Sequence, residues 1–150
     1  MNAAKVVALV SVFILLLLFI GSAQSNFPII NAPADWVGEG NIGVYNDRIV
    51  IYIENASISR YEDTKSMIPA LDKEANGIRI VPNSPDDIHI GDIVTYEAGW
   101  IDGLVVHRIV YIGEDSLGKY YILKGDSNTE NDPEKVRFEQ IRYVTVALIY

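Results

Sequence analysis

The sequence has no cysteine and only two histidines, His89 and His107. The lack of cysteine excludes disulfides, thiolate zinc sites and cysteine nucleophiles. Two histidines without a thiol also make a histidine-rich metal site unexpected, and no sequence feature indicates a cofactor. Basic residues are few, with 12 Lys and Arg against 20 Asp and Glu, so the formal net charge is −8. Such an acidic chain disfavours a polyanionic partner, and we expect no binding of nucleic acid.

Long helical periodicity is also absent between residue 42 and residue 150. Short runs rich in β-branched and aromatic residues occur there instead, bounded by Gly, Pro, Asp or Asn, as is typical of strands. Asn46 and Asp47 separate the first two runs and tolerate a positive φ, which predicts a hairpin. The strand candidates are 44–45, 48–53, 78–81, 93–96, 104–112, 120–123 and 143–149. The pattern predicts a mainly β fold, a compact antiparallel or mixed barrel or sheet, with single helical turns after Ser66 and around 138–141.

The N-terminus carries the one long apolar run of the sequence. Residues 6–20 contain no charge, and from residue 3 to residue 23 only Lys5 is charged. A helix over residues 3–23 would rise about 31 Å, enough to cross the hydrocarbon core of a bilayer. A cleavable signal peptide is the alternative, since Gly21-Ser22-Ala23 offers small residues before a cleavage site. Composition favours the retained anchor, and both interpretations remain open.

Both interpretations predict the same topology. Lys5 precedes the apolar run, and Asp35 and Glu39 are the first charges after it, so the N-terminus should stay in the cytoplasm. We therefore expect a transmembrane anchor over 1–23, a tether over 24–41 and an extracytoplasmic β domain over 42–150. Trp36 in the tether could lie at the lipid interface, but a satisfied surface or core tryptophan is favoured.

Four polar residues in the β region have the chemistry of an acyl-transfer site: Ser66, His107, Asp126 and Asp132. A serine hydroxyl needs an imidazole to accept its proton, and the imidazole needs a carboxylate to fix its tautomer. Taken singly, each of these residues has an ordinary structural explanation, because Asp126 and Asp132 sit in turn sequences and His107 sits in an apolar strand. Arg108 should point to the opposite strand face from His107, where an ion pair suits it.

Together with their neighbours these residues form a recognisable set of motifs. In order along the chain, the motifs are T-x-S-M-x-P from Thr64, G-D-I-V-x-Y from Gly91, V-V-H-R-I-V from Val105 and K-G-D-x-N-x-x-x-D from Lys124. The set resembles the signal peptidase I family, and more narrowly its archaeal and endoplasmic-reticulum type, in which histidine is the general base. The resemblance covers the N-terminal apolar segment and most of residues 64–150.

The resemblance implies a signal-peptidase-like β domain that follows one transmembrane helix and acts as a serine endopeptidase. It implies Ser66 as the nucleophile and His107 as the base. Of the two aspartates, Asp132 is the expected partner of the histidine, while Asp126 organises the loop or assists. The Thr64 hydroxyl and the Ser66 amide are the expected oxyanion donors.

The same resemblance gives the expected setting of the enzyme. Its substrates would be signal-peptide-bearing pre-proteins, processed on the extracytoplasmic face of the plasma membrane by a single-pass protein. The further partners that the resemblance suggests are the lipid bilayer and the export machinery.

The sequence departs from the family pattern at several points. Lys65 replaces a small residue, Ser127 replaces a common asparagine, and extra segments occur at about 42–55 and 72–87. These segments leave open a specialised peptidase for a few surface precursors. Two further alternatives are a catalytically silent β domain that binds exported chains and a secreted adhesion domain released after Ala23.

Overall fold

The computed structural model describes residues 30–150. The anchor expected over 1–23 and the first part of the tether lie outside the described residues. Within the described range, no helix is both long and apolar enough to cross a membrane.

The described part of the chain is mainly β, as the sequence predicts. Its strands are β1 (Ile42–Val44), β2 (Ile49–Ile51), β3 (Ser57–Arg60), β4 (Asn76–Ile80), β5 (Ile93–Glu97), β6 (Leu104–Asp115), β7 (Gly118–Lys124) and β8 (Ile141–Ile149). Single 3₁₀ turns occupy Glu39–Asn41, Pro85–Asp87 and Phe138–Gln140, and the last of these confirms the helical turn expected around 138–141. The turn expected after Ser66 is closed by a hydrogen bond from Leu71 N to Met67 O.

The strands form two sheets. β1 and β2 pair as the predicted hairpin and make a two-stranded sheet of their own. The other six strands pair antiparallel in the order β3-β4-β8-β5-β6-β7, so β3 and β7 are the edges of an open sheet. The segment at 72–87, expected as an insertion, supplies β4 and is therefore an integral part of the main sheet.

Apolar residues pack on both faces of the six-stranded sheet. Val94 and Tyr96 of β5 belong to a buried cluster on one face, together with Ile109 of β6. Ile93 belongs to a second buried cluster with Met67. Successive residues of a strand point to opposite faces, so a central strand covered on both sides is buried at consecutive positions. Residues 93–96 of β5 are all buried accordingly.

Part of the expected tether lies against the domain because Asp92 binds it. The Asp92 carboxylate is fully buried and accepts hydrogen bonds from Ala34 N at 2.9 Å and from the Trp36 indole at 3.1 Å. Gly91 allows the close approach: its φ is +102°, and a Cβ atom there would lie 2.0 Å from Ala32 O. Trp36 is half-buried and hydrogen-bonded, which confirms the satisfied tryptophan that the sequence favours.

Replacing Asp92 with alanine should lower the free energy of unfolding by about 3 kcal/mol, because it leaves buried donors without an acceptor. His89 N is a third such donor, at 2.9 Å from the carboxylate. Urea denaturation of the two proteins measures the difference. Asp102→Ala is the control, since Asp102 is exposed in the β5–β6 turn. Equal unfolding midpoints for the two variants would contradict the role given to Asp92.

Candidate active site

His107 and Asp132 form a buried pair. His107 Nδ1 lies 2.8 Å from both carboxylate oxygens of Asp132, and the two side chains are 7% and 5% exposed. A carboxylate can only accept at neutral pH, so Nδ1 of a neutral ring must be the donor. This tautomer leaves Nε2 with a free lone pair, as a general base requires.

The sheet and one loop bring this pair together. His107 lies on β6 opposite Val94 of β5, on the face that carries the first apolar cluster. Asp132 lies in the loop after β7, and its backbone N–H donates to Leu123 O at 2.8 Å. The loop therefore returns to the end of the strand from which it left, and it returns beside His107.

Tyr96 completes the environment of the carboxylate, and the sequence interpretation assigned it no role. Its hydroxyl donates to Asp132 Oδ2 at 2.7 Å, and the residue is fully buried. Burial raises the pKa of the Tyr96 phenol well above its ordinary value, and the hydrogen bond to Asp132 raises it further. The available signal was its position in a buried strand, because a buried tyrosine hydroxyl needs a partner.

Asp126 contacts Arg108 and not His107. Arg108 Nε and Nη2 each donate to one Asp126 oxygen at 2.7 Å, and the two side chains are 7% and 3% exposed. Arg108 Nη1 also donates to Gly91 O at 2.7 Å. His107 and Arg108 project to opposite faces of β6, as expected, and each binds a different aspartate. Asp126 fixes the start of the loop, and Asp132 carries the contact with the histidine.

Ser66 lies in a short turn fixed by its neighbour Met67, which is buried in the second apolar cluster. The Ser66 hydroxyl lies 3.1 Å from Thr64 Oγ1, and Ser66 N donates to the same oxygen at 3.4 Å. Among residues 30–150, the Ser66 hydroxyl makes no hydrogen bond to His107. The structure therefore forms two groups, Thr64 with Ser66 and His107 with Asp132.

Backbone contacts join the serine turn to the loop that carries the aspartates. Ser127 N donates to Ser66 O at 2.9 Å, and the Ser127 hydroxyl donates to Lys65 O at 2.7 Å. Gly125 is required at this junction, because a Cβ atom there would lie 2.7 Å from Ser66 O. Lys65 itself has a φ of +62° and an exposed side chain, so its charge lies in solvent.

The serine turn meets this junction at the end of β7. Arg108 pairs with Lys124, the last residue of β7, and Gly125 and Asp126 follow directly. Ser66 O lies in the Cβ direction of Gly125, while Met67 packs with Ile93 in the second apolar cluster, on the sheet face opposite to His107. These contacts join the serine turn to the loop that carries both aspartates.

The remaining surroundings of the site are open and polar. Residues 127–133 line an open cavity of about 500 Å³, so the loop that ends beside His107 is accessible from solvent. In the part of the chain that the structure describes, no three His, Asp or Glu side chains converge as a metal site would require.

Comparisons of the chain with protein-family models, with curated proteins and with solved structures give no match.

Breaking the buried Arg108–Asp126 pair should lower the free energy of unfolding more than breaking an exposed ion pair. Asp126→Ala should lower the free energy of unfolding by about 3–5 kcal/mol, because it leaves the buried guanidinium uncompensated. Glu97→Ala is the matched control, since Glu97 binds the exposed Arg142 through two hydrogen bonds and its loss should cost little. Urea denaturation measures both variants, and similar losses would show that burial does not decide the cost.

Proposed function

We propose that this protein is a membrane-anchored serine endopeptidase of the signal peptidase I type, which removes signal peptides from exported pre-proteins. The observation that carries the proposal is the buried contact of His107 Nδ1 with Asp132 at 2.8 Å. It supplies an oriented imidazole whose Nε2 can act as a base. The motif resemblance supplies Ser66 as the nucleophile, and the contacts of Ser66 O with Gly125 and Ser127 hold the serine turn against the loop that carries Asp132.

In the proposed reaction, Ser66 Oγ attacks the scissile carbonyl of an extended substrate while His107 Nε2 takes the hydroxyl proton. Asp132 stabilises the imidazolium that forms, and the ring then protonates the leaving amine. Water releases the acyl group from Ser66 in the second half of the reaction, again with His107 as the base. For the initial attack, the Ser66 hydroxyl must turn away from Thr64 and toward His107 Nε2. Such a change is expected on substrate binding, because catalytic contacts commonly tighten only then.

The oxyanion that develops in this reaction needs hydrogen-bond donors. The Ser66 N–H and the Thr64 hydroxyl are the proposed pair. The N–H donates to Thr64 Oγ1 at 3.4 Å in the structure, and it must turn from that oxygen to the oxyanion when substrate binds. When Ser66 Oγ moves to the substrate, Thr64 loses its side-chain partner and can donate to the oxyanion. Loss of one such donor typically costs about 10²–10³ in rate.

The apolar N-terminal run gives the proposed enzyme its location. Residues 6–20 would hold the protein in the plasma membrane, with the N-terminus in the cytoplasm and the catalytic domain on the extracytoplasmic face. A signal peptide lies in the same bilayer with its cleavage site near the outer surface. Anchoring therefore raises the effective concentration of enzyme and substrate, and association with the export machinery would raise it further.

A peptidase restricted to a few surface precursors is the second candidate. The β1–β2 hairpin favours it, because this separate sheet exposes apolar side chains, with Val44 75% and Ile49 67% exposed. Such a surface next to the expected tether could select particular precursors by apolar contact.

The full chain in detergent micelles or liposomes should cleave a pre-protein that carries a signal peptide. Ser66→Ala should abolish cleavage because the nucleophile is lost, and His107→Ala should abolish it because no base remains. Gel mobility and mass spectrometry of the products give the rate and the cleavage position. A panel of pre-proteins separates a general peptidase from a restricted one.

Matched controls make this test specific. Ser116→Ala and His89→Ala remove the same side chains at exposed positions, in the β6–β7 turn and in the loop before β5, and should cleave at the normal rate. Normal cleavage by Ser66→Ala would exclude serine chemistry at this residue. If the unmodified chain binds pre-proteins without cleaving any of them, the silent binding domain replaces the peptidase.

The mature protein should keep Met1 or Asn2 at its N-terminus and should resist extraction from membranes with carbonate. The nearly uncharged stretch over 3–23 is long enough to span a bilayer, and its flanks differ in charge. N-terminal sequencing of the protein from its own membranes tests this. Replacement of Ala23 with arginine is the control for cleavage after that residue. A soluble form that begins at Gln24 would overturn the location without affecting the serine chemistry.

A further inference from the structure

We propose that Tyr96 is a positioning residue that fixes the Asp132 carboxylate and, through it, the ring of His107. This inference rests on the proposed peptidase function for its catalytic consequence. The geometry on which it stands is independent of that function.

Three separate elements meet at the Asp132 carboxylate. Tyr96 comes from β5, His107 comes from β6, and Asp132 comes from the loop after β7. Tyr96 pairs with Val105, and His107 pairs with Val94, so the tyrosine and the histidine are diagonal neighbours on one sheet face. The strands therefore set the spacing of the two donors, and the carboxylate spans them with 2.7 Å and 2.8 Å contacts.

The carboxylate needs the second donor to be held in one place. His107 Nδ1 is equidistant from the two Asp132 oxygens, so this contact alone does not distinguish between them. The Tyr96 hydroxyl binds only Oδ2 and removes the ambiguity. The loop backbone adds one further tie, from Asp132 N to Leu123 O. Without Tyr96, the side chain of Asp132 could rotate while its backbone stayed in place.

Burial and the neighbouring carboxylates keep Tyr96 in its protonated, donating form. Burial raises the pKa of the phenol most, and Asp132 and Glu134 raise it further by their negative charge. Trp100 from the β5–β6 turn lowers the pKa of the same phenol, by less than burial and Asp132 raise it. The tyrosine therefore retains its proton over the working range of an imidazole base. It can only donate to the carboxylate, and it does so at every pH in that range.

A donor on Oδ2 also changes the chemistry of the histidine. A hydrogen bond to a carboxylate withdraws negative charge from it and lowers its affinity for protons. Asp132 then attracts the Nδ1 proton less strongly, and the imidazolium is stabilised less. Removal of the tyrosine hydroxyl should therefore favour the protonated ring, and the acidic side of the activity profile should move to higher pH.

The test is Tyr96→Phe in the full chain, with histidine labelled by ¹⁵N and the protein held in detergent micelles. The ¹⁵N signals of His107 report which ring nitrogen carries the proton and the pH at which the ring becomes charged. His89→Gln identifies the signals, since the sequence has only these two histidines. In Tyr96→Phe the transition should move to higher pH, and kcat for a pre-protein should fall about tenfold with little change in KM.

Tyr121→Phe is the matched control. Tyr121 is also fully buried in the first apolar cluster, but its hydroxyl donates to Pro85 O at 3.0 Å, away from Asp132. Tyr121→Phe also removes one phenol oxygen from the first apolar cluster, but this oxygen does not contact Asp132. The variant should therefore leave the His107 signals and the pH profile unchanged. An equal shift in Tyr121→Phe would assign the effect to loosening of the core and overturn the proposal.

Incorporation of 3-fluorotyrosine provides a second arm that leaves the core filled. Fluorination makes the phenol a stronger donor, so the His107 transition should move to lower pH, opposite to Tyr96→Phe. Tyr96 is the tyrosine that contacts Asp132 among residues 30–150, and residues 1–29 contain none. Unchanged His107 signals in both arms would overturn the proposal. The signals need no turnover, so they still decide the role of Tyr96 if the unmodified chain cleaves no pre-protein.

Discussion

A carboxylate that is taken out of water must have a full set of partners, and three aspartates of this domain obey that constraint in three ways. Asp92 takes backbone and indole N–H groups, Asp126 takes a guanidinium, and Asp132 takes an imidazole and a phenol. In each case at least one partner comes from a different part of the chain than the aspartate. The three buried charges therefore tie the expected tether and the site loop to the main sheet.

The alternation of side chains along β6 decides which aspartate meets which partner. His107 and Arg108 are adjacent in sequence and project to opposite faces, so their carboxylates must approach from opposite sides. One short loop after β7 supplies both carboxylates, with Asp126 at its start and Asp132 near its end. The loop is thus held at both faces of β6, and Ser127, directly after Asp126, binds the serine turn.

Strand existence was predictable where residues are apolar on at least one face. β5 to β8 were expected for that reason, but β3 was not, because Ser57–Arg60 contains one large apolar residue and Ile58 is 74% exposed. β4 was expected as a strand, but the segment that contains it was expected to be an insertion. Its place in the main sheet is visible only from its pairing with β3 and β8.

The contacts of the candidate site residues follow only in part from the sequence. Alternation separates His107 from Arg108, yet Asp126 and Asp132 both lie in turn sequences that do not fix their direction. Tyr96 could be expected to be buried, but its partner depends on a loop that returns from β7. Such long-range contacts follow from register and loop path, which local sequence patterns do not encode.

The chemical nature of the Asp132 partners argues for use in a reaction more than for stability. A buried ion pair adds little stability compared with apolar residues of similar size, so its presence calls for another reason. Asp126 has the permanently charged partner that a structural pair needs, since a guanidinium does not lose its proton. Asp132 has instead a histidine, whose ring can gain and lose a proton, and a tyrosine that can only donate. A carboxylate with such partners is poorly suited to hold a loop and well suited to orient a ring that would gain and lose a proton in the proposed reaction.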